Sequence, residues 1–137
     1  MLPVDDESIW LVVVGAHLSG QPLNHELTEV GGHLVMRART APIYRMFALA
    51  TNPPKPGLVR VDPDDPAGAS ILAEVWELPP LSFAHFVDHI ASPLTIGRVE
   101  LEDGVQVAGF LCEPIATNDA EDITSFGSWR AYLEAKD

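Results

Sequence analysis

The sequence predicts an α+β fold: a small, mixed, strongly twisted β-barrel with flanking helices. Three observations carry that reading. About seven short runs, apolar and rich in β-branched or aromatic residues, recur along the 137 residues. Those runs follow one another without regular intervening helices, which argues against a doubly wound parallel sheet. Two or three stretches repeat apolar residues at helical spacing, enough to cover the openings of a curled sheet. No linker and no internal repeat divides the chain, and its length is near the mode for one domain. Residues 1–137 are therefore read as a single domain.

The first strand is Ile9-Trp10-Leu11-Val12-Val13-Val14, an apolar run that stops at Gly15. Residues 22–29 are expected to form a short helix with Pro22 at its start, ended by Gly31-Gly32. His33 to Arg39 alternates and reads as a strand with Arg37 and Arg39 on one face. Ile43 to Leu49 reads as another. Thr51 to Gly57 is expected to be irregular, because its three prolines remove donors and fix φ. Leu58 to Val61 is a short strand, followed by an acidic loop from Asp62 to Gly68. Ile71 to Leu78 is a strong strand whose alternation puts Leu72, Glu74, Trp76 and Leu78 on one face. After Pro79-Pro80, the spacing of Leu81, Phe83, Phe86, Val87 and Ile90 predicts a helix that Ser82 can cap. Ile96–Leu101 and Val105–Cys112 flank Glu102-Asp103-Gly104, a hairpin signal. Beyond the acidic loop Asn118–Asp122, a last helix capped by Asp122 or Thr124 is expected. Phe126, Trp129, Tyr132 and Leu133 form its apolar stripe, with Gly127 as a weak point.

Twenty acidic and eight basic residues give a net charge of −12, which repels phosphate backbones and anionic lipid. The expectation is no nucleic-acid partner and no membrane surface. An anionic substrate would need local help from basic side chains or backbone N–H groups. Cys112 stands alone, so no internal disulfide is possible, and the N-terminus lacks the basic region of a signal peptide. The longest apolar run is much too short to span a bilayer. The protein is expected to be cytoplasmic.

The expected site is the loop that follows the first strand, Gly15 to Asn24, with His17 as the first candidate for chemistry. Imidazole changes charge near neutral pH and suits acid–base work; the plainer reading is a histidine that hydrogen-bonds its turn. Gly15, Ala16, Leu18 and Ser19 are expected to shape the loop and offer N–H groups to a carboxylate or carbamate oxygen. Glu74, if its face is interior, is a buried carboxylate and a second acid–base candidate. Tyr44 either brings its hydroxyl to the pocket or packs. Arg37, Arg39 and Arg45 are read as surface ion-pair formers in so acidic a chain. Cys112 reads as a small buried hydrophobe. No metal is expected: His25 and His33 complete no recognisable ligand pattern with His17. His85 and His89, four apart, lack the glutamate of a zinc helix and are expected on a solvated face opposite Phe83, Phe86 and Ile90.

Several stretches together resemble the C-terminal domain of allophanate hydrolase. They are Val14-Gly15-Ala16-His17-Leu18-Ser19-Gly20-Gln21-Pro22-Leu23-Asn24, Pro53-Pro54-Lys55-Pro56-Gly57-Leu58-Val59-Arg60-Val61, Pro93-Leu94-Thr95-Ile96-Gly97, Gly109-Phe110-Leu111-Cys112-Glu113, and Asp122 to Leu133. They cover nearly the whole chain in order. The resemblance implies a γ-glutamylcyclotransferase-like fold. It also implies urea and allophanate nitrogen metabolism: decarboxylation or hydrolysis of an N-carboxycarbamate-like compound, with His17 in the position of the catalytic histidine and no cofactor. In that enzyme an amidase domain precedes this one. The expectation here is a small anionic or amide substrate delivered by a separately encoded amidase. The alternative is a non-catalytic module that binds a metabolite or docks onto that amidase. Cyclotransferases of this fold carry a general-base Glu in a helix; the matching stretch Phe86-Val87-Asp88-His89-Ile90-Ala91 puts Ile90 there. Cyclotransferase chemistry would need a relocated acid such as Glu74.

Overall fold

The computed structural model describes residues 7–136. Eight strands and three α-helices follow in the order β1 Ile9–Val13, α1 His25–Thr28, β2 His33–Arg39, β3 Tyr44–Leu49, β4 Lys55–Arg60, β5 Leu72–Leu78, α2 Pro80–Asp88, β6 Leu94–Glu100, β7 Gln106–Cys112, β8 Glu121–Asp122 and α3 Trp129–Lys136. Five strands form one sheet in the order β2-β5-β1-β7-β6, and β4-β3-β8 form a second. The larger sheet is mixed, because β1 pairs antiparallel with β5 and parallel with β7. Its two outer strands meet: Thr40, just past β2, bridges Leu101, just past β6. The Ala41 N–H bonds to the Glu100 carbonyl at 2.9 Å and the Glu102 N–H to the Arg39 carbonyl at 3.0 Å. The sheet thus curls until its edges touch at one corner, as the predicted barrel requires.

Strand β1 lies at the centre of that sheet. Leu11, Val12 and Val13 are buried, consistent with a continuous apolar run covered on both faces. The core continues through Tyr44, Met46, Leu58, Ile71, Val75 and Leu78. The β6–β7 hairpin forms as predicted, with Gly104 at φ +89° in its turn. No helix among the described residues is long and apolar enough to cross a membrane.

Four boundary expectations are corrected. Residues 55–57 are not irregular: Lys55, Pro56 and Gly57 open β4, with Pro56 opposite Ala48. Strand β4 is an edge strand, where a residue without an N–H is tolerated. Helix α1 is only His25–Thr28, and Pro22 lies in the turns before it. Helix α2 begins at Pro80, so Ser82 lies inside it; the Ser82 hydroxyl donates to the Val30 carbonyl at 2.7 Å. The last helix starts only at Trp129. Gly127, at φ +72°, ends a separate 3-10 turn over Thr124–Phe126, whose Thr124 N–H donates to Asp122 Oδ1 at 2.9 Å. Ser128 then caps α3, its Oγ accepting from the Ala131 N–H at 3.0 Å.

Candidate functional site

The loop after β1 is shaped by its own backbone. The Leu18 N–H bonds to the Gly15 carbonyl at 3.0 Å, and the Leu23 N–H to the Ala16 carbonyl at 2.9 Å. Asn24 Nδ2 donates to the His17 carbonyl at 2.9 Å. The two loop glycines do different work. Gly20 takes the left-handed conformation, at φ +80°. Gly15 does not; it leaves room for Pro56, whose Cδ would lie 2.2 Å from a Cβ placed there.

This loop delivers His17 into an aromatic slot. Its ring is buried, stacks on Phe110 at 5.1 Å between centroids and meets Phe86 edge-on at 5.3 Å. Nε2 lies 2.8 Å from Oε1 of Glu26, which α1 carries back over the loop. With Nε2–H donating to Glu26, Nδ1 is left over. It has no hydrogen-bond partner among the described residues and is not one of the polar atoms sealed from solvent. Burial among the rings holds the pKa of His17 below its usual 6.5, and this outweighs Glu26, whose hydrogen bond and charge raise it. Lys55 and His25 push it down further. Above pH 7 the ring is therefore mainly neutral, and its cation is a stronger acid than ordinary imidazolium.

A cavity of about 420 Å³ opens beside this pair. Phe86, Ile90, Leu94 and Phe110 give it apolar walls, and Lys55, His25, Glu29, His85 and His89 also line it. Four of the chain's five histidines thus face one cavity. Gly15 and Ala16 line a narrow cleft of about 20 Å³ that shares His17, Lys55, Leu94 and Phe110 with it. His85 and His89 are exposed as predicted, but they line the cavity together with Phe86 and Ile90 rather than facing away from them. Among the described residues no group of three or more His, Cys, Asp or Glu side chains is arranged to hold a metal ion.

The other predicted residues lie elsewhere. Glu74 is buried, so its side chain does point inward, but it lines a second, smaller cavity with Leu18, Arg37, Ser128 and Arg130. Its Oε1 accepts from the Ser19 N–H at 2.9 Å, the Ser19 hydroxyl at 3.0 Å and Trp76 Nε1 at 3.0 Å. Arg130 pairs with its Oε2 at 3.4 Å. Burial alone would raise the Glu74 pKa, but these hydrogen bonds and the Arg130 charge together hold it below the usual carboxylate value. Glu74 is thus an anion that grips the loop. The N–H groups of Leu18 and Ser19 are consumed inside the protein, unlike the ligand-facing donors that were expected. Tyr44 is fully buried, and its hydroxyl accepts from the Glu100 N–H at 2.8 Å. Arg45 pairs with Asp122 at 2.8 Å, as expected of a surface ion-pair former. Cys112 is buried, and burial pushes its thiol up.

Sequence reasoning missed Glu26, Lys55, Phe86 and Phe110 as site residues. Glu26 is nine positions from its partner and offers no spacing signal. Lys55 was hidden among prolines. Phe86 reads as part of the apolar face of its helix and Phe110 as part of its strand; in the structure Phe110 belongs to the core and Phe86 packs against it.

A curled, mixed sheet with few helices is the architecture of a small domain of the γ-glutamylcyclotransferase-like fold, and here its cleft carries the buried His17. The family model for the allophanate hydrolase C-terminal domain matches residues 9–134, and the chain belongs to that family. It is 42% identical over 131 residues to a urea amidolyase of Saccharomyces cerevisiae, a match that covers 93% of this chain and 7% of that protein. The crystal structure of the Kluyveromyces lactis allophanate hydrolase superposes with a TM-score of 0.88 at 37% identity, over 95% of this chain and 22% of that one. A uropathogenic E. coli-specific protein superposes with a TM-score of 0.83 at 35% identity, over 93% of this chain and 96% of that one. The chain therefore spans a small part of the multidomain relatives and nearly all of the E. coli one. More distant chains, below 25% identity, share the fold alone.

Proposed function

We propose that this domain acts in urea and allophanate nitrogen metabolism and decarboxylates an N-carboxycarbamate-like compound, with His17 as the proton donor. The observation that carries this reading is the His17–Glu26 pair, whose buried imidazole lines the cavity and keeps its second ring nitrogen without a hydrogen-bond partner among the described residues. Membership of the family supports the substrate class.

In the proposed step the bond between nitrogen and one carboxylate carbon breaks. CO2 leaves, and the electron pair stays on nitrogen. The His17 imidazolium delivers a proton from Nδ1 to that nitrogen, leaving carbamate. Glu26 stabilises the cation before transfer, and water restores the proton afterwards. A positioned acid of this kind contributes about a hundred- to ten-thousand-fold. In this reading Gly15 and Ala16 shape the cleft beside His17. Leu18, Ser19 and Glu74 hold the loop, and Tyr44 packs in the core away from the cavity, its hydroxyl fixing the Glu100 N–H.

The test supplies N-carboxycarbamate from an amidase acting on allophanate and follows CO2 release with wild type and His17→Ala. Wild type should exceed the uncatalysed rate and the variant should not. Equal rates at background would sink the reading. If adding the chain then altered the kinetics of the amidase itself, a docking module would take its place.

A further inference from the structure

We infer that Lys55 is the anion-binding residue of the main cavity, and that its ligand is a carboxylate rather than a neutral amide. The inference rests on the proposed reading of that cavity as a substrate site and names the group the site recognises.

Lys55 opens β4 opposite Leu49. The backbone there is fixed closely. Pro56 fills the space over Gly15, and a Cβ on Gly57 would lie 2.7 Å from Sγ of Cys112. The residue that lines both the cavity and its cleft is thus anchored by the same contact that shapes the His17 loop. Among the described residues it is the only lysine or arginine lining either.

Its ammonium has no ion pair among the described residues, although the chain carries twenty acidic side chains. Glu26, the acid beside His17 in the same cavity, is committed to the histidine. A ligand carboxylate gives that ammonium a charged partner, where an amide carbonyl offers one uncharged acceptor. Lysine is a compact point charge, which suits one carboxylate of a small molecule whose other end meets His17. Lys55 also lies close enough to act on the charge of His17, which it opposes.

The test uses malonate, in which CH2 replaces the NH of N-carboxycarbamate, and malonamide, its uncharged counterpart. Binding of each to wild type, Lys55→Met and Lys55→Arg is measured calorimetrically at pH 8, with urea unfolding as a check on each fold. Malonate should bind wild type, bind Lys55→Met at least tenfold more weakly, and recover most of that loss in Lys55→Arg. Malonamide should bind all three weakly and alike. In the free protein, Lys55→Met should also raise the His17 pKa read from its ring proton by NMR. Equal malonate affinity for wild type and a folded Lys55→Met overturns the inference. So does malonamide binding as tight as malonate, or no malonate binding by wild type. Failure of the decarboxylation assay is a separate result: it removes the role of His17 and leaves Lys55-dependent malonate binding standing.

Discussion

Ser19 and Glu74 are joined at two points: the Ser19 N–H and hydroxyl both donate to the same carboxylate oxygen, at 2.9 and 3.0 Å. Arg130, which pairs with the other oxygen of Glu74, donates to the Ser19 carbonyl at 2.5 Å. Every polar group of the residue two positions after His17 is thus held by one ion pair. The fastening ties the loop to β5 and α3, elements distant in sequence.

That arrangement makes Glu74 a positioning residue, and its loss should register in stability. Glu74→Gln keeps the shape but removes the charge that three donors and Arg130 meet. A cost of about 1–3 kcal/mol is expected in urea unfolding at pH 7. The folded pKa of Glu74 is depressed, so its stabilisation is complete above the unfolded value of 4.5 and is lost as pH falls through the folded value. The gap between wild type and Glu74→Gln should therefore narrow in acid. A gap that is flat from pH 7 to pH 3 would contradict an ionised Glu74.

The two loop glycines should fail differently. Gly15→Ala places a methyl group against the Pro56 ring, 2.2 Å from Cδ, and overpacking of this kind costs about 1–3 kcal/mol. It also shifts the strand start that carries Lys55, so malonate binding should weaken along with stability. Gly20→Ala meets nothing within 4 Å and carries only the left-handed penalty, about 1–2 kcal/mol. Thermal unfolding and malonate titration of the two variants separate these effects. Gly20→Ala should leave affinity unchanged.

How much of this was legible in the sequence follows from the range of each interaction. Strand β1, the β6–β7 hairpin and β5 as a strand are local signals of period and turn chemistry, and all appear close to where predicted; both faces of β5 are covered, Ala73 and Val75 as well as Glu74 and Trp76, while Leu72 is exposed. Pro56 misled because its tolerance depends on β4 being an edge strand, a property of the assembled sheet. His17 was visible as a loop histidine, but Glu26 became its partner only once α1 folded back. The sequence left open whether the face of Glu74 is interior, and in the structure it is. Its role depends on Arg130, 56 positions away, which no local pattern could supply.

Glu26 raises the His17 pKa, through its hydrogen bond first and its charge second. Glu26→Gln removes the charge and weakens the hydrogen bond, so the titration of the ring should move to still lower pH. If His17 is the proton donor, kcat should fall with the loss of its cation, and the alkaline limb of the pH–rate profile, where the donor loses its proton, should move to lower pH as well. NMR titration of the ring proton checks the first part and the profile the second. A profile that stays put while the ring titration moves would assign the kinetic proton to another group.

Phe110 tests the opposing influence. Burial is the largest cause of the low His17 pKa, and the stacked Phe110 ring supplies part of that burial. Phe110→Leu keeps an apolar residue of similar size, so its stability cost should stay below about 1.5 kcal/mol. It also lets water reach one face of the imidazole, so the pKa should rise toward 6.5, the reverse of Glu26→Gln. The consequence for folding follows from linkage. A histidine held neutral by burial binds fewer protons than the unfolded chain, so stability is lost as pH falls below the unfolded pKa and down to the folded one. In Phe110→Leu that window narrows from below, and less stability is lost between pH 6.5 and pH 5 than in wild type. An unchanged ring titration in a folded Phe110→Leu would mean that desolvation is not what holds His17 neutral, and the strong-acid character that decarboxylation draws on would have no structural source.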